Sequence, residues 1–248
     1  MLLKAYAIGI FPMSHAADDP DIFWVEPRRR AILPLDGLHV SRSLRKTIRA
    51  DRFRVTADAA FVDVVRACAA PAADRDETWI NEPIFEACRR LHAMGHAHSI
   101  ECWDGDALVG GLYGISLGRA FFGESMFSRA TDASKVALAW LVARLRVGGF
   151  RLLDCQFMTD HLASMGAQEI SGKAYSALLA PAVADSVPGL PDVGAGDFGA
   201  LDGLGAEPSA APSPRDARLP DALPSPDALT VAGPVSGQLI AQLLTHTS

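Results

Sequence analysis

The sequence predicts a mixed α+β fold, and three features carry that prediction. Two alternating runs, His98–Trp103 and Ala107–Ile115, flank Asp104-Gly105-Asp106, a turn signal of the kind that closes a hairpin. A helical stripe from Ala133 to Val147 lies between two strand-like segments, Arg119–Phe122 and Phe150–Phe157, which together read as a βαβ unit. The 248 residues are 49% hydrophobic and 21% charged, a composition that can bury a core.

In chain order, Ala31–Val40 reads as a short strand or a broken pair of strands. Ser41 or Ser43 can cap a helix that runs to about Ala50, because either hydroxyl can accept from the free N–H groups of the first turn. Phe53–Thr56 reads as a strand. Ala60–Ala69 reads as a helix with Phe61, Val64, Val65 and Cys68 on one side. Ile80 to about Met94 is a further helix, with Pro83 tolerated in the first turn and Gly95 as a stop. Then come the hairpin, the third strand, a polar loop GESMFSRATD, the helix from Ala133 ended by Gly148-Gly149, and the strand from Phe150. Residues i and i+2 of that strand share a face, and a βαβ loop and strand end are natural ligand positions.

Two stretches are distinguished by composition, 1–180, where strand and helix signals alternate, and 181–248. The last is expected to be disordered: it holds 10 of the 16 prolines and little to offset its ordering entropy. Its final VSGQLIAQLLTHT fits a short amphipathic helix or a frayed end. The formal charge of −6 belongs to this stretch, with Asp185, Asp192, Asp197, Asp202, Glu207, Asp216, Asp221 and Asp227 against Arg215 and Arg218. The remainder is balanced, so a polyanionic partner is compatible with the whole-chain charge. No apolar run of about 18 residues suggests a membrane span, and the start does not read as a secretory signal. Cys68, Cys88, Cys102 and Cys155 form no CxxC pair, which fits a reducing cytoplasm.

Four groups of residues can carry chemistry. Arg42, Arg45, Lys46 and Arg49 share one helix face, with Arg28, Arg29, Arg30, Arg52 and Arg54 flanking it. Such a patch attracts a phosphate backbone without reading its sequence; the ordinary alternative is a solvated helix face. Glu124 lies among apolar residues beside Gly123, placed to position an amine or ester; the alternative is a cap or an ion pair with Arg129. Asp154 and Gln156 point a carboxylate and an amide to one site, suited to holding an amine and removing its proton; the alternative is an ordinary polar strand face. Cys155 is expected to face the other way, into the core. His92, His96 and His98 superficially suggest a metal cluster, but they straddle a helix end, a glycine and a strand start, so no metal is expected. Ser134-Lys135 is read as local helix-start chemistry, since adjacent helical residues do not face each other.

A series of blocks then resembles one family, the bacterial leucyl/phenylalanyl-tRNA–protein transferases. They are YAIGIFP (Tyr6–Pro12), LHVSRSLR (Leu38–Arg45), Thr78-Trp79-Ile80, LHAMGHAHSIE (Leu91–Glu101), LVGGLYG (Leu108–Gly114), FGESMFSR (Phe122–Arg129), DASK (Asp132–Lys135), LDCQ (Leu153–Gln156) and HLASMGAQEI (His161–Ile170). The resemblance covers about residues 5–180, and its specificity lies in the joint order of the blocks. It implies an enzyme that moves Leu, Phe or Met from aminoacyl-tRNA to the α-amine of proteins beginning with Arg or Lys, creating a degradation signal. It also implies an acetyltransferase-like (GNAT) domain over 34–180, preceded by a small N-terminal domain of which 1–33 is a remnant.

By position in the family's motifs, Asp154 and Gln156 are the implied catalytic residues, and Glu124 positions the aminoacyl-adenosine end. Leu112, Gly123, Met126, Leu138, Leu141 and Leu153 would form the donor side-chain pocket, each leucine being equally readable as core. Trp79 would stack on the terminal adenine. Arg42, Arg45, Lys46 and Arg49 would hold the tRNA acceptor stem. No cofactor is needed, because the donor ester is already activated, and a monomer is the default.

The chain departs from the family at Met13, where an aromatic is usual, and in starting almost at the Tyr6 block; the expectation is either a start further upstream or a missing piece of the small domain. Two other readings compete. One is a coenzyme A-dependent GNAT acyltransferase, disfavoured because Arg129–Ser134 lacks glycine and places Asp132 where a pyrophosphate would sit. The other is a tRNA-binding module without catalysis.

Overall fold

The computed structural model describes residues 2–71, 78–184, 195–205 and 235–245. The chain opens with α1 (Leu2–Tyr6) and a two-stranded hairpin, β1 (Phe11–Met13) and β2 (Phe23–Val25). There follow β3 (Arg29–Ile32), α2 (Arg42–Arg49), β4 (Arg54–Ala57), α3 (Phe61–Ala69) and α4 (Glu82–Ala93). The long meander is β5 (Ala97–Asp104), β6 (Ala107–Leu117) and β7 (Ala120–Ser128), then α5 (Ala133–Val147) and β8 (Leu152–Gln156). The remaining elements are α6 (Asp160–Ser164), β9 (Gln168–Ser171), α7 (Gly172–Val183), α8 (Asp202–Gly205) and α9 (Gly237–Thr245).

Seven strands form one mixed sheet in the order β4-β5-β6-β7-β8-β3-β9. Every neighbour pair is antiparallel except β7 and β8, which run parallel across α5, the expected βαβ unit. The helix starts follow capping chemistry: Ser41 accepts from Leu44 N in α2, Asn81 from Ile84 N in α4, and Thr159 from Leu162 N in α6. Pro83 sits in the first turn of α4, where its missing N–H costs nothing.

The sheet is covered on both faces. One core layer joins α5, α2 and α9 to Ile100, Cys102, Leu112 and Phe121; the other joins α1, α3, α4 and α7 to Tyr113, Ile115 and Phe122. α5 is buried around most of its circumference, with twelve of its fifteen residues buried, so the expected stripe is in fact a central helix. Its contact with β6 depends on Gly110, where a Cβ would sit 2.5 Å from the Ala133 Cβ.

Four expectations need correction. Ala31–Val40 contributes only the end of β3, and the rest is loop. The third strand does not stop at Phe122: β7 continues to Ser128 because Gly110–Tyr113 of β6 supplies a pairing edge for what read locally as a polar loop. Arg30, grouped with the surface basic patch, is 1% exposed. Disorder does not describe two stretches beyond residue 180. Residues 195–205 pack on the fold because Arg144, buried in α5, takes Asp202 and the Phe198 carbonyl as partners. Residues 235–245 form the helix α9, with Ile240 and Ala241 buried. The rest of 181–248 lies outside the described residues, apart from the end of α7.

Candidate active site

β7 and β8 pair only through Ala120↔Leu152, Phe121↔Leu153 and Phe122↔Asp154, and beyond that register they part. A cavity of about 630 Å³ occupies the opening at their C-terminal ends. Two irregularities shape its wall. In β7, Tyr113↔Ser125 and Gly114↔Gly123 leave Glu124 as the unpaired extra residue of a bulge. In β8, Ile32↔Asp154 and Ala31↔Gln156 leave Cys155 unpaired, and Gln156 takes φ +62°. Bulges of this kind re-aim side chains next to binding sites.

Glu124 lines the cavity and is held from two sides. Its Oε1 accepts from Tyr6 Oη at 2.8 Å and from Gln156 Nε2 at 2.9 Å. Neither alternative read from the sequence, a cap or an ion pair with Arg129, is realised: Arg129 donates to the Leu108 carbonyl and its guanidinium lies over Phe127. Burial pushes the Glu124 carboxyl up to about 8, against the partial relief of the Tyr6 hydrogen bond. At neutral pH the acid is therefore mostly protonated.

Gln156 also lines the cavity, and its Nε2 bond to Glu124 leaves the amide oxygen free to accept. Asp154 does not line the cavity. Its carboxylate is fully buried and turned to the Arg30 guanidinium, with Nε bonds of 2.8 and 3.0 Å and a further contact from Nη2. It accepts in addition from Tyr175 Oη at 2.8 Å and from the Gln156 backbone N–H at 2.8 Å. So Asp154 and Gln156 meet, but the carboxylate stands behind the wall and holds Gln156 by its backbone.

Arg30 lies between the rings of Phe11 and Tyr175, each 4.6 Å from Cζ, and donates to the Gly9 carbonyl at 3.0 Å. Burial works to lower the Arg30 pKa, but Asp154 outweighs it and the guanidinium ends above its usual range. Burial and Asp154 both push Tyr175 up, and burial with Glu124 does the same to Tyr6, so both phenols stay neutral donors.

Trp79, Leu112, Gly123, Met126, Leu138, Leu141 and Leu153 all line this cavity. Trp79 is half-buried; Ser14 Oγ donates to its carbonyl at 2.8 Å, and Met13 lies on the same cavity wall. Cys155 packs against the core, as expected, and also borders the cavity; burial and the Asp154 charge keep its thiol protonated, hence poorly nucleophilic. His92 stacks on Phe61 and bonds the Ala97 carbonyl, while His98 bonds Asp58 and stacks on Phe198; Asp58 also lies 3.9 Å from His92 Nδ1. The α2 cations are not part of the cavity wall; Arg42, Lys46 and Arg49 are exposed, Arg45 is half-buried, and none of the four makes an ion pair among the described residues.

Sequence reasoning missed Tyr6, Arg30, Tyr175 and His161. Arg30 had a signal: it opens an apolar run, and Asp154, on an apolar strand, required a counter-charge. His161 lines the cavity with Nε2 buried and without a hydrogen-bond partner among the described residues, and burial together with Lys135 lowers its pKa.

A family model described as leucyl/phenylalanyl-tRNA protein transferase matches residues 32–180, and the model of that protein's N-terminal domain matches residues 1–28. The chain belongs to this family. It is accordingly an aminoacyltransferase. A leucyl/phenylalanyl-tRNA–protein transferase of Rhizorhabdus wittichii is 56% identical over 100% of this chain and 97% of its own. That of Novosphingobium aromaticivorans is 52% identical over 100% of this chain and 95% of its own. The transferase of Rhodospirillum rubrum is 57% identical over 78% of this chain and 92% of its own. Among the described residues no helix is long and apolar enough to cross a membrane.

Proposed function

We propose that this transferase moves Leu, Phe or Met from aminoacyl-tRNA to the α-amino group of proteins that begin with Arg or Lys, generating an N-terminal degradation signal. The observation that carries the reading is the cavity itself: a largely apolar chamber with one buried carboxyl in its wall, Glu124, tied to Gln156. An unbranched-at-Cβ apolar side chain fits among Leu112, Gly123, Met126, Leu138, Leu141 and Leu153. Trp79 offers a face for the terminal adenine, since base stacking suits a single-stranded 3′ end.

The chemistry is aminolysis of an ester. The acceptor amine attacks the carbonyl carbon, a C–N bond forms, the bond to the ribose oxygen breaks, and the amine proton ends on that oxygen or on solvent. The free amide oxygen of Gln156 accepts a hydrogen bond from the attacking amine and orients it. The protonated Glu124 carboxyl donates to the aminoacyl-adenosine end. Asp154 acts through Gln156, as a positioning residue. This chemistry asks for no cofactor, because the donor ester is already activated.

Arg42, Arg45, Lys46 and Arg49 hold the acceptor stem through its phosphates. The larger unit, 34–180, is acetyltransferase-like, preceded by 1–33 and followed by 181–248. The protein works as a cytoplasmic monomer.

The test is direct. Purified protein is mixed with labelled Leu-tRNA or Phe-tRNA and a peptide beginning with Arg, beside one beginning with Ala. Label on the Arg peptide alone is the expected result. Bound tRNA with no transfer to either peptide would leave a binding module in place of the enzyme's proposed substrate pairing.

A further inference from the structure

The basic helix α2 is poorly equipped to exist on its own. It has eight residues, four of them cationic, and no acid in its first turn. Isolated helices of this length are marginal in water. Arg42 and Lys46, and Arg45 and Arg49, are like-charge pairs four apart, which weaken a helix further. The helix is held by Ser41 at its start and by burial of Leu44 and Ile48. Whatever covers those two residues decides where the exposed cations point.

Part of that cover is α9. It packs against α2 and α5, with Ile240 fully buried and Ala241 4% exposed. Arg45 and Ile48 meet Ala241, Leu244 and Thr245 across a small cleft. The approach is tight at Gly237, whose Cβ, if present, would sit 1.9 Å from the Ile48 carbonyl oxygen. Gly237 N–H donates to Asp51 Oδ1 at 2.6 Å, and Asp51 takes φ +45° in the turn that ends α2. One end of α9 is thus pinned to the last turn of the basic helix, and its apolar side closes the back of that helix.

α9 also lies beyond the residues that the family models match, 1–28 and 32–180. The Rhizorhabdus and Novosphingobium relatives align over the whole of this chain, whereas the Rhodospirillum relative covers 78% of it. The segment is an addition to the matched domain, applied to the face opposite the free cations.

We infer that residues 235–245 are a positioning element for tRNA: a brace, supplied in cis, that holds α2 so that Arg42, Lys46 and Arg49 present a fixed array to the acceptor stem. This rests on the reading of α2 as the tRNA-binding helix. A fixed array binds without first ordering the helix, whereas a frayed one must be ordered at the expense of affinity. The brace therefore acts on tRNA binding and leaves the aminolysis step untouched.

The experiment uses the full chain with Ile240→Asp, and separately with Gly237→Val, beside the double variant Arg42→Ala/Arg49→Ala. Each is measured for Kd of tRNA across a salt series, KM for Leu-tRNA, and kcat at saturating Leu-tRNA. The α9 variants are expected to raise Kd and KM by about tenfold, a loss of about 1.4 kcal/mol, with kcat retained and a shallower salt slope. Retained kcat shows that the fold and the cavity are intact. Wild-type Kd and salt slope in both α9 variants would overturn the brace, and so would a parallel collapse of kcat and affinity, which marks a general structural role. If the arginine double variant also binds like wild type, the assignment of α2 itself fails; if it alone loses affinity, that assignment stands and the brace falls.

Discussion

The buried pair Arg30–Asp154 offers the sharpest quantitative test. Both side chains are at most 1% exposed, so Arg30→Met strips a fully desolvated carboxylate of its counter-charge. Asp154 would keep only the Tyr175 hydroxyl and the Gln156 N–H as donors. Breaking a buried pair from one side costs about 3–5 kcal/mol. For a chain of this size each kcal/mol moves Tm by about 2–4 °C, so the expected fall is roughly 6–20 °C. Asp154→Leu should cost a similar amount, because the guanidinium then retains only the Gly9 carbonyl and the faces of Phe11 and Tyr175. The double variant Arg30→Met/Asp154→Leu removes both charges, and its loss should be well below the sum of the single ones. Transfer should behave differently. Any variant lacking Asp154 leaves the Gln156 N–H without its acceptor at a residue held at φ +62°, so kcat should stay low in the double variant while stability recovers. Thermal melts and steady-state transfer with separate kcat and KM read the two effects. A melt of Arg30→Met within about 2 °C of wild type would refute the energetic argument. Full kcat in the stabilised double variant would refute the role of Asp154 in placing Gln156.

Three further outcomes are expected. Glu124 has a folded pKa raised by burial to about 8, above its ordinary value of 4.5, so its contribution to stability is complete below about pH 4.5 and is lost as pH rises through 8; Glu124→Gln should flatten that part of a stability-against-pH curve measured by denaturant melts. Gly123→Ala should leave the melt nearly unchanged, since its Cβ would meet the Asp154 carbonyl at an ordinary 3.4 Å, yet raise KM for the aminoacyl donor by occupying the opening between β7 and β8; an unaltered KM would place the donor elsewhere. Asp202→Ala should cost about 1–3 kcal/mol in a chemical melt, less than a fully buried break, because Asp202 is half exposed and the Phe198 carbonyl still accepts from Arg144.

Much of this molecule follows from local pattern. The Asp104-Gly105-Asp106 turn, the helix caps at Ser41 and Asn81, and the β–α–β unit around α5 are set by residues close in sequence, so the periodicity of apolar positions and a few turn residues suffice to place them. Glu124 and Gln156 were nominated too, Glu124 as a carboxylate among apolar residues at a strand end and Gln156 as sharing a strand face with Asp154. The pairing was not. Tyr6 reaches Glu124 across 118 positions and Arg30 reaches Asp154 across 124, and both arginine and aspartate look like surface residues until something buries them together. The direction of Asp154 was lost for a related reason: a strand period of two predicts that it shares an open face with Gln156, but the bulge at Cys155 and the left-handed backbone at Gln156 depend on the register with β3, which only the assembled sheet sets. The same holds for α9. Its composition allowed a helix or a frayed end, and what decides between them is the apolar back of α2, nearly 190 positions earlier in the chain, against which Gly237 and Ile240 are buried. Local sequence thus determined the elements and nominated the polar groups. Tertiary contact decided which buried charges neutralise one another and which surfaces are left to meet a substrate, because desolvation is a property of the packed interior and not of any single segment.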